Sequence, residues 1–494
     1  MQNYPLITHK SLDSIIAWRN GEPISVKKFL ADADHLATVL PAGIHILNVC
    51  RDRYHFTVGL AAAIISNKIS VLPPTHTPEV MRQLQVFAPD VFCLHDNIDC
   101  DIALPRMNYP TMSESDAEQS TKKLSIPQIN AQQLIAIVFT SGSTGAPIPH
   151  QKTWGRLVQN VQAQAVRLGL KTSLKTELNT GLTADLTTEL TTDLSADINY
   201  SIVGTIPPQH MYGFESTILL PLQTGNALSC AQPFYPADIA DALATISAPR
   251  VLVSTPLHLR LLLDAELKLP ELALTLSATA PLSSPLAHKI EDTLNTPLVE
   301  IYGSTETGQI ATRRTTESAA WHLLPNINLT QRDEQTWAEG GHIECATVLN
   351  DVIELTDTAH FLLHGRTQDL INIAGKRSSL VNLNYHLNSI KGVIDGAFFM
   401  PDELSHDHVT RLSACVVAPN LTASNLLAAL RSKIDPVFLP RPLLFVESLP
   451  RNATGKLPRE ALKKLFSTTH NAQPAKAELA NKDLCNKHLS HTQT

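Results

Sequence analysis

No apolar run in the chain is long enough for a membrane: the stretch VGLAAAIIS, Val58–Ser66, falls far short of the roughly 20 residues that a helical span needs. The first residues, MQNYPLITHKSLDSII, lack the basic start and apolar core of a secretory leader, so a cytoplasmic location without stable membrane insertion is expected. Seven cysteines are scattered at positions 50, 93, 100, 230, 345, 415 and 485, with no C-x-x-C pair. That excludes a disulfide frame or a zinc ribbon in favour of reduced thiols. A positive excess is also missing, since 39 Lys and Arg against 46 Asp and Glu leave a net charge of −7, which argues against nucleic acid as a partner. What is present is ordinary for a globular protein: 43% hydrophobic and 17% charged residues. At 494 residues the chain is long enough for two to four domains of about 150 residues each.

Short apolar runs such as GIHILNV, KISVLP, LIAIVF and RVLVST alternate with helix-like stretches such as ADIADALATISA. This alternation predicts an α/β fold of layered, mainly parallel sheets and helices. From Lys171 to Ile198 the chain reads as seven tetrads, each closed by Leu or Ile. A four-residue period overshoots the helical turn by about 40° per tetrad, so the apolar stripe would wind around a helix. The stretch reads as a flexible surface insert, with a partner-binding helix as the alternative. Residues 367–466 hold twelve Lys and Arg against eight Asp and Glu, a net of +4 in an acidic chain, which suggests a separate small domain that meets acidic partners. The polar tail 467–494 is expected to be disordered.

The stretch FTSGSTGAPIPH, Phe139–His150, is a small-residue loop after the run LIAIVF. A strand, a turn and then the helix KTWGRLVQNVQAQAVRL would set backbone N–H groups around a phosphate-sized concavity. A P-loop needs a Gly-Lys pair five residues after its first glycine; here Gly142 and Gly145 are only three apart and no such lysine follows. Walker-type chemistry is thereby excluded. Three more stretches carry chemistry. IYGSTETG, Ile301–Gly308, gathers an aromatic ring, a glycine, a hydroxyl and a carboxylate able to offer a hard oxygen to magnesium. FLLHGRTQDLINIAGKR, Phe361–Arg377, holds two glycine-basic turns, and LPRNATGKLPRE, Leu449–Glu460, presents Lys456 on a glycine-containing loop.

In this order and spacing, from about residue 10 to 466, the four motifs resemble the adenylate-forming superfamily of acyl-CoA synthetases, luciferases and stand-alone adenylation domains. The resemblance implies an N-terminal ATP- and acyl-binding domain over residues 1–366 and a small mobile α+β C-terminal domain over 367–466. It implies that Thr140, Ser141, Gly142, Ser143, Thr144 and Gly145 cradle the β- and γ-phosphates of ATP, that Tyr302 stacks on adenine with Gly303 in the same nucleotide site, that Thr305 contacts the α-phosphate and that Glu306 binds Mg²⁺. Asp351 and Arg366 would hold the ribose. The essential lysine of such enzymes comes from the C-terminal domain, here Lys456. The more dispensable lysine after the loop proline is replaced by Ile148, leaving Lys152 to stand in. The hinge falls on Gln368, where relatives commonly have Asp or Lys, and Gly375 would line the thiol channel after the domain rotates.

The same resemblance puts the acyl pocket at IPPQHMYGFE, with His210 at its gate and Met211 and Gly213 beside it, and at LSATAPLSS, with Ala278 and Ala280 on the facing wall. Met211 stands where amino-acid-activating relatives have an aspartate, which disfavours an amino acid and leaves an aryl acid such as a hydroxybenzoate, or a fatty acid. The overall style looks most like the acyl or aryl synthetases of bacterial aryl-polyene and xanthomonadin-type pigment pathways. The expected activity is ATP-dependent formation of an acyl-adenylate, then transfer to the phosphopantetheine thiol of an acidic acyl carrier protein. The alternatives are free CoA as acceptor, or a catalytically inactive ATP-binding scaffold.

Overall fold

The computed structural model describes residues 2–110, 124–141, 147–170, 199–333, 335–366, 370–373, 376–400, 412–452 and 455–468. The tetrads of 171–198, the loop residues Gly142, Ser143, Thr144 and Gly145, the hinge candidate Gln368, and Gly375 lie outside the described residues. Two units emerge: one of Met1–Leu349 with Leu355–Phe361, the other of Asn350–Glu354 with Leu362–Thr494.

In the first unit two α/β layers form as expected. One sheet runs Pro147–Thr153, Leu134–Ser141, Ile69–Leu72, His45–Asn48, Phe92–His95, Arg106–Asn108, parallel except for the first pair. The other includes the parallel run Ser201–Gly204, Arg250–Ser254, Leu274–Ser277 and Leu298–Ser304, followed by antiparallel Gly308–Arg313 and Trp321–Leu323. Parallel strands are covered on both faces, so they read as continuous apolar runs; Ile135, Ala136, Ile137, Val138 and Phe139 are all buried. Helices begin where a short polar side chain caps them: Ser25 accepts from Lys28 N–H ahead of Val26–Val39, and Asp52 accepts from His55 N–H ahead of Arg53–Ile65.

The loop departs from the expected strand, turn and helix. After the loop the chain returns as a second strand, Pro147–Thr153, antiparallel to Leu134–Ser141 from Ser141↔Pro147 to Leu134↔Thr153, and the helix Trp154–Arg167 starts only then. Pro147 and Pro149 explain the difference, because a residue before proline is pushed out of the helical region. The helix N-terminus therefore lies at the base of the hairpin, where Trp154 N–H bonds Gln133 O at 2.9 Å. The pair Ser141↔Pro147 lies at the opposite end.

The second unit has its own core. Strands Asp395–Phe399, Ser413–Val417 and Leu443–Phe445 form a sheet, and Leu383, Leu387, Leu426 and Leu430 from two helices bury against Phe398, Ala414 and Val416. A last helix continues to Thr468, two residues into the segment expected to be disordered; Leu462 and Phe466 anchor it in the core with Phe399. Among the described residues no helix is long and apolar enough to cross a membrane.

Candidate active site

Two turns of the first unit meet at a cavity of about 330 Å³ lined by Lys152, Asn160, Met211, Glu306, Gly308 and His342, among others. The first is the hairpin around the small-residue loop. Thr140, half-buried at its rim, shares a hydrogen bond with His150 Nε2 at 3.0 Å. Alternation along the return strand puts Ile148, His150 and Lys152 on one face; Ile148 is 50% exposed, whereas Lys152 is 9% exposed.

The second turn joins Leu298–Ser304 to Gly308–Arg313. Its backbone approaches so closely that a Cβ on Gly303 would sit 2.2 Å from Gly308 O, and Gly308 holds φ +71° with Asn160 Nδ2 where a Cβ would go. Glycine is required at both positions. Ser304 and Thr307 close the turn through their hydroxyls, 3.1 Å apart, and Thr307 N–H bonds Ser304 Oγ at 3.2 Å. Thr305 and Glu306 stand at the corner, half-buried and exposed respectively. Tyr302, on the strand leading in, packs against Trp321 and Phe361, each 5.5 Å away by ring centroid, and those two rings stack on each other at 6.4 Å.

Glu306 Oε1 lies 3.8 Å from His150 Nε2, and Lys152 Nζ donates to the Glu306 carbonyl at 3.3 Å. Partial burial works to raise the Glu306 carboxyl; backbone and Ser304 hydrogen bonds, with the charges of His150 and Lys152, outweigh it and hold the group below its ordinary value. A carboxylate held ionised is a hard-oxygen ligand of the kind that magnesium takes. Burial lowers the Lys152 ammonium against the opposing pull of Glu215, Glu306 and Glu344. Burial pushes the Glu215 carboxyl up to about 8, opposed by Lys152 and a Gln309 hydrogen bond, while Asn160 Nδ2 donates to it at 2.7 Å. His342 is lowered to about 4, chiefly by burial.

His210 occupies the N-cap position of the short helix Met211–Gly213 without a side-chain cap bond. Met211 lines the same cavity as Glu306, and Gly213 is required because a Cβ would meet Pro207 O at 2.2 Å. Beyond it, Phe214–Leu219 is a π-helix, an arrangement frequent at functional sites. Ala278 is buried and Ala280 half-buried; between them Thr279 holds φ +78°, a strained conformation for a β-branched residue.

Arg53 is a residue that motif reading missed. It is fully buried and donates to Gly204 O at 2.9 Å, Ile206 O at 3.1 Å and Thr217 Oγ1, tying the strand before His210 to the π-helix after it. Burial lowers its guanidinium to about 10. In the sequence it is only one arginine of CRDRYHF, with no signal that it turns inward.

The second unit carries Asp351, half-buried at the head of the strand Asp351–Leu355, and Arg366 at the end of His360–Arg366. Lys456 is exposed on a braced loop. Its N–H bonds Asn452 Oδ1 at 2.9 Å, its carbonyl accepts from Asn452 N–H at 2.8 Å, and Arg451 grips Asp395 in a bidentate pair at 2.7 and 2.8 Å while also donating to Gly455 O.

A family model described as AMP-binding enzyme matches residues 41–336. A 4-coumarate–CoA ligase of Rhodobacter capsulatus is 27% identical over 328 residues, covering 65% of this chain and 74% of its own. One from Halorhodospira halophila is 28% identical over 329 residues, covering 64% and 73%. Among solved structures, ATP-bound MatB from Rhodopseudomonas palustris superposes with a TM-score of 0.73 at 16% identity, over 93% of this chain and 97% of that one. The o-succinylbenzoate CoA synthetase of Bacillus subtilis with its acyl-adenylate intermediate gives 0.72 at 16% identity, over 94% and 99%. At such identities the structural likeness shows the fold.

Proposed function

The chain belongs to the AMP-binding enzyme family, and on that footing we propose that it is an acid–thiol ligase that activates a carboxylic acid with ATP. The observation that carries this reading is the Glu306 turn: a carboxylate held ionised on a glycine-tight corner, over a cavity that also reaches Met211. In the first half-reaction the substrate carboxylate attacks the α-phosphorus of ATP, a bond to the departing pyrophosphate breaks, and acyl-adenylate forms. No general base is required, because the nucleophile is already an anion. The chain's part is to place donors and charge. The loop from Thr140 to Gly145 is assigned the β- and γ-phosphates, Tyr302 and Gly303 the adenine, Thr305 the α-phosphate, Asp351 and Arg366 the ribose, and Lys456 the charge that develops at phosphorus. Glu306 would hold magnesium, which when bound supplies positive charge against the triphosphate.

In the second half-reaction a thiol sulfur displaces AMP from the acyl carbon. Free coenzyme A is the better-supported acceptor, since the sequence relatives reported above are CoA ligases by name. None of those names points to a carrier protein or a pigment pathway. The excess of basic residues over 367–466 suits either polyanion. An aryl acid such as a hydroxybenzoate is the proposed substrate class, with a fatty acid as the alternative; His210, Met211, Gly213, Ala278 and Ala280 are the proposed pocket residues, Gln368 the hinge and Gly375 the thiol channel.

The test is Mg·ATP-dependent pyrophosphate release with hydroxylamine trapping, across fatty, benzoic, hydroxybenzoic, hydroxycinnamic and amino acids. Activity on one acid class that collapses in Lys456→Ala supports adenylation. Thioester formation with CoA then identifies the acceptor, and silence with every acid from a protein that still binds ATP returns the scaffold reading.

A further inference from the structure

The position where relatives carry the loop lysine holds Ile148, half exposed. Four residues further on, on the same face of the same strand and so about 13 Å along it, Lys152 is the nearest lysine, and it points inward. Its ammonium lies under the Glu306 turn, donating to the Glu306 carbonyl at 3.3 Å. Glu215, Glu306 and Glu344 all pull on its charge. His150, between the two on that face, shares a hydrogen bond with Thr140 at 3.0 Å and stands 3.8 Å from the Glu306 carboxylate. The strand thus spans from the phosphate loop's rim to the metal carboxylate's turn, and its one buried ammonium is at the turn end.

We propose that Lys152 is a positioning residue for Glu306: it anchors the main chain of the turn and offsets the neighbouring carboxylates, so that Glu306 is presented outward to a divalent cation. The inference rests on the functional reading above and deepens it. A lysine on the loop would act as a point charge near the nucleotide, whereas Lys152 acts through Glu306, so its contribution exists only when the metal is part of the ligand. Glu306 and Glu344 line one cavity, and two carboxylates repel one another strongly when little water separates them. Removal of the ammonium would leave the Glu306 main chain without this anchor and its carboxylate sharing the cavity with Glu344.

The experiment is calorimetric titration of the full chain with ATP, with and without Mg²⁺, on the wild type, Lys152→Met, Lys152→Gln, Glu306→Gln and the double variant Lys152→Met/Glu306→Gln, each checked for a wild-type-like melting curve. Both Lys152 variants are expected to weaken Mg·ATP binding about tenfold while leaving metal-free ATP binding within about threefold, and the double variant is expected to lose no more than Glu306→Gln alone, as for residues acting through one another. If the Met variant does not fold, the Gln variant carries the same comparison. Additive losses, or equal weakening with and without metal, would overturn the role of Lys152 and leave the functional reading standing. Recovery of full Mg·ATP affinity by adding Ile148→Lys to Lys152→Met would likewise overturn it, because a rim charge would then suffice. A wild type that binds no Mg·ATP would bring down the functional reading and this inference with it.

Discussion

Replacing Glu215 by glutamine should make the first unit more stable at alkaline pH, although Glu215 sits in a hydrogen-bond network. The side chain is 1% exposed, and its carboxyl is pushed from 4.5 up to about 8, by burial first, with Lys152 and Gln309 only partly opposing. An acid with a folded value above its unfolded one binds more protons when folded, so stability is fully present below about pH 4.5 and is lost as pH rises towards 8. A tenfold change in proton affinity is worth about 1.4 kcal/mol, so the carboxyl costs the folded state on the order of 3 kcal/mol at neutral pH. Glutamine keeps an oxygen to accept from Asn160 Nδ2, 2.7 Å away in the wild type, and has no proton to lose. The assay is the melting temperature of wild type and Glu215→Gln from pH 5 to 9. The difference should be near zero or slightly against the variant at pH 5 and should grow to a few degrees in its favour by pH 8. A difference that stays flat with pH, or a variant less stable at pH 8 than at pH 5 relative to wild type, would refute the argument.

Arg53→Met should destabilise by about 3–5 kcal/mol, because it strands two buried carbonyls and a hydroxyl; urea unfolding measures it, and a loss under about 1 kcal/mol would count against a structural role for Arg53. Lys456→Ala should lower the adenylation rate by on the order of 10²-fold or more while moving the melting temperature by less than about 1 °C, since exposed substitutions rarely alter stability. Asp395→Asn, which weakens the bidentate grip of Arg451 behind Lys456, should reduce kcat with a smaller change in the KM for ATP. Gly303→Ala should cost both stability and Mg·ATP affinity, because its Cβ would fall 2.2 Å from Gly308 O; a fully active Gly303→Ala protein would show that the turn is looser than described.

The sequence alone determined what contiguous residues can encode. Apolar runs separated by helix-length stretches were enough for the α/β class. Motifs such as IYGSTETG are local turns whose glycines are set by their own neighbours, so Gly303 and Glu306 could be singled out before any contact was known. The same locality misled at the loop, where the turn was expected to run on into a helix from Lys152 and the chain instead returns as the strand Pro147–Thr153 before the helix begins at Trp154. Tertiary structure decided the rest. Lys152 and Glu306 are 154 residues apart, and Arg53 and Thr217 are 164 apart; nothing in either segment states which strand will lie beside it. The raised Glu215 carboxyl was likewise invisible, because a glutamate in a short apolar helix reads as a surface residue until a second helix and a strand close over it. Burial and the field of neighbouring charges belong to the assembled layers, and those are fixed by sheet order and crossover connections rather than by any stretch of residues.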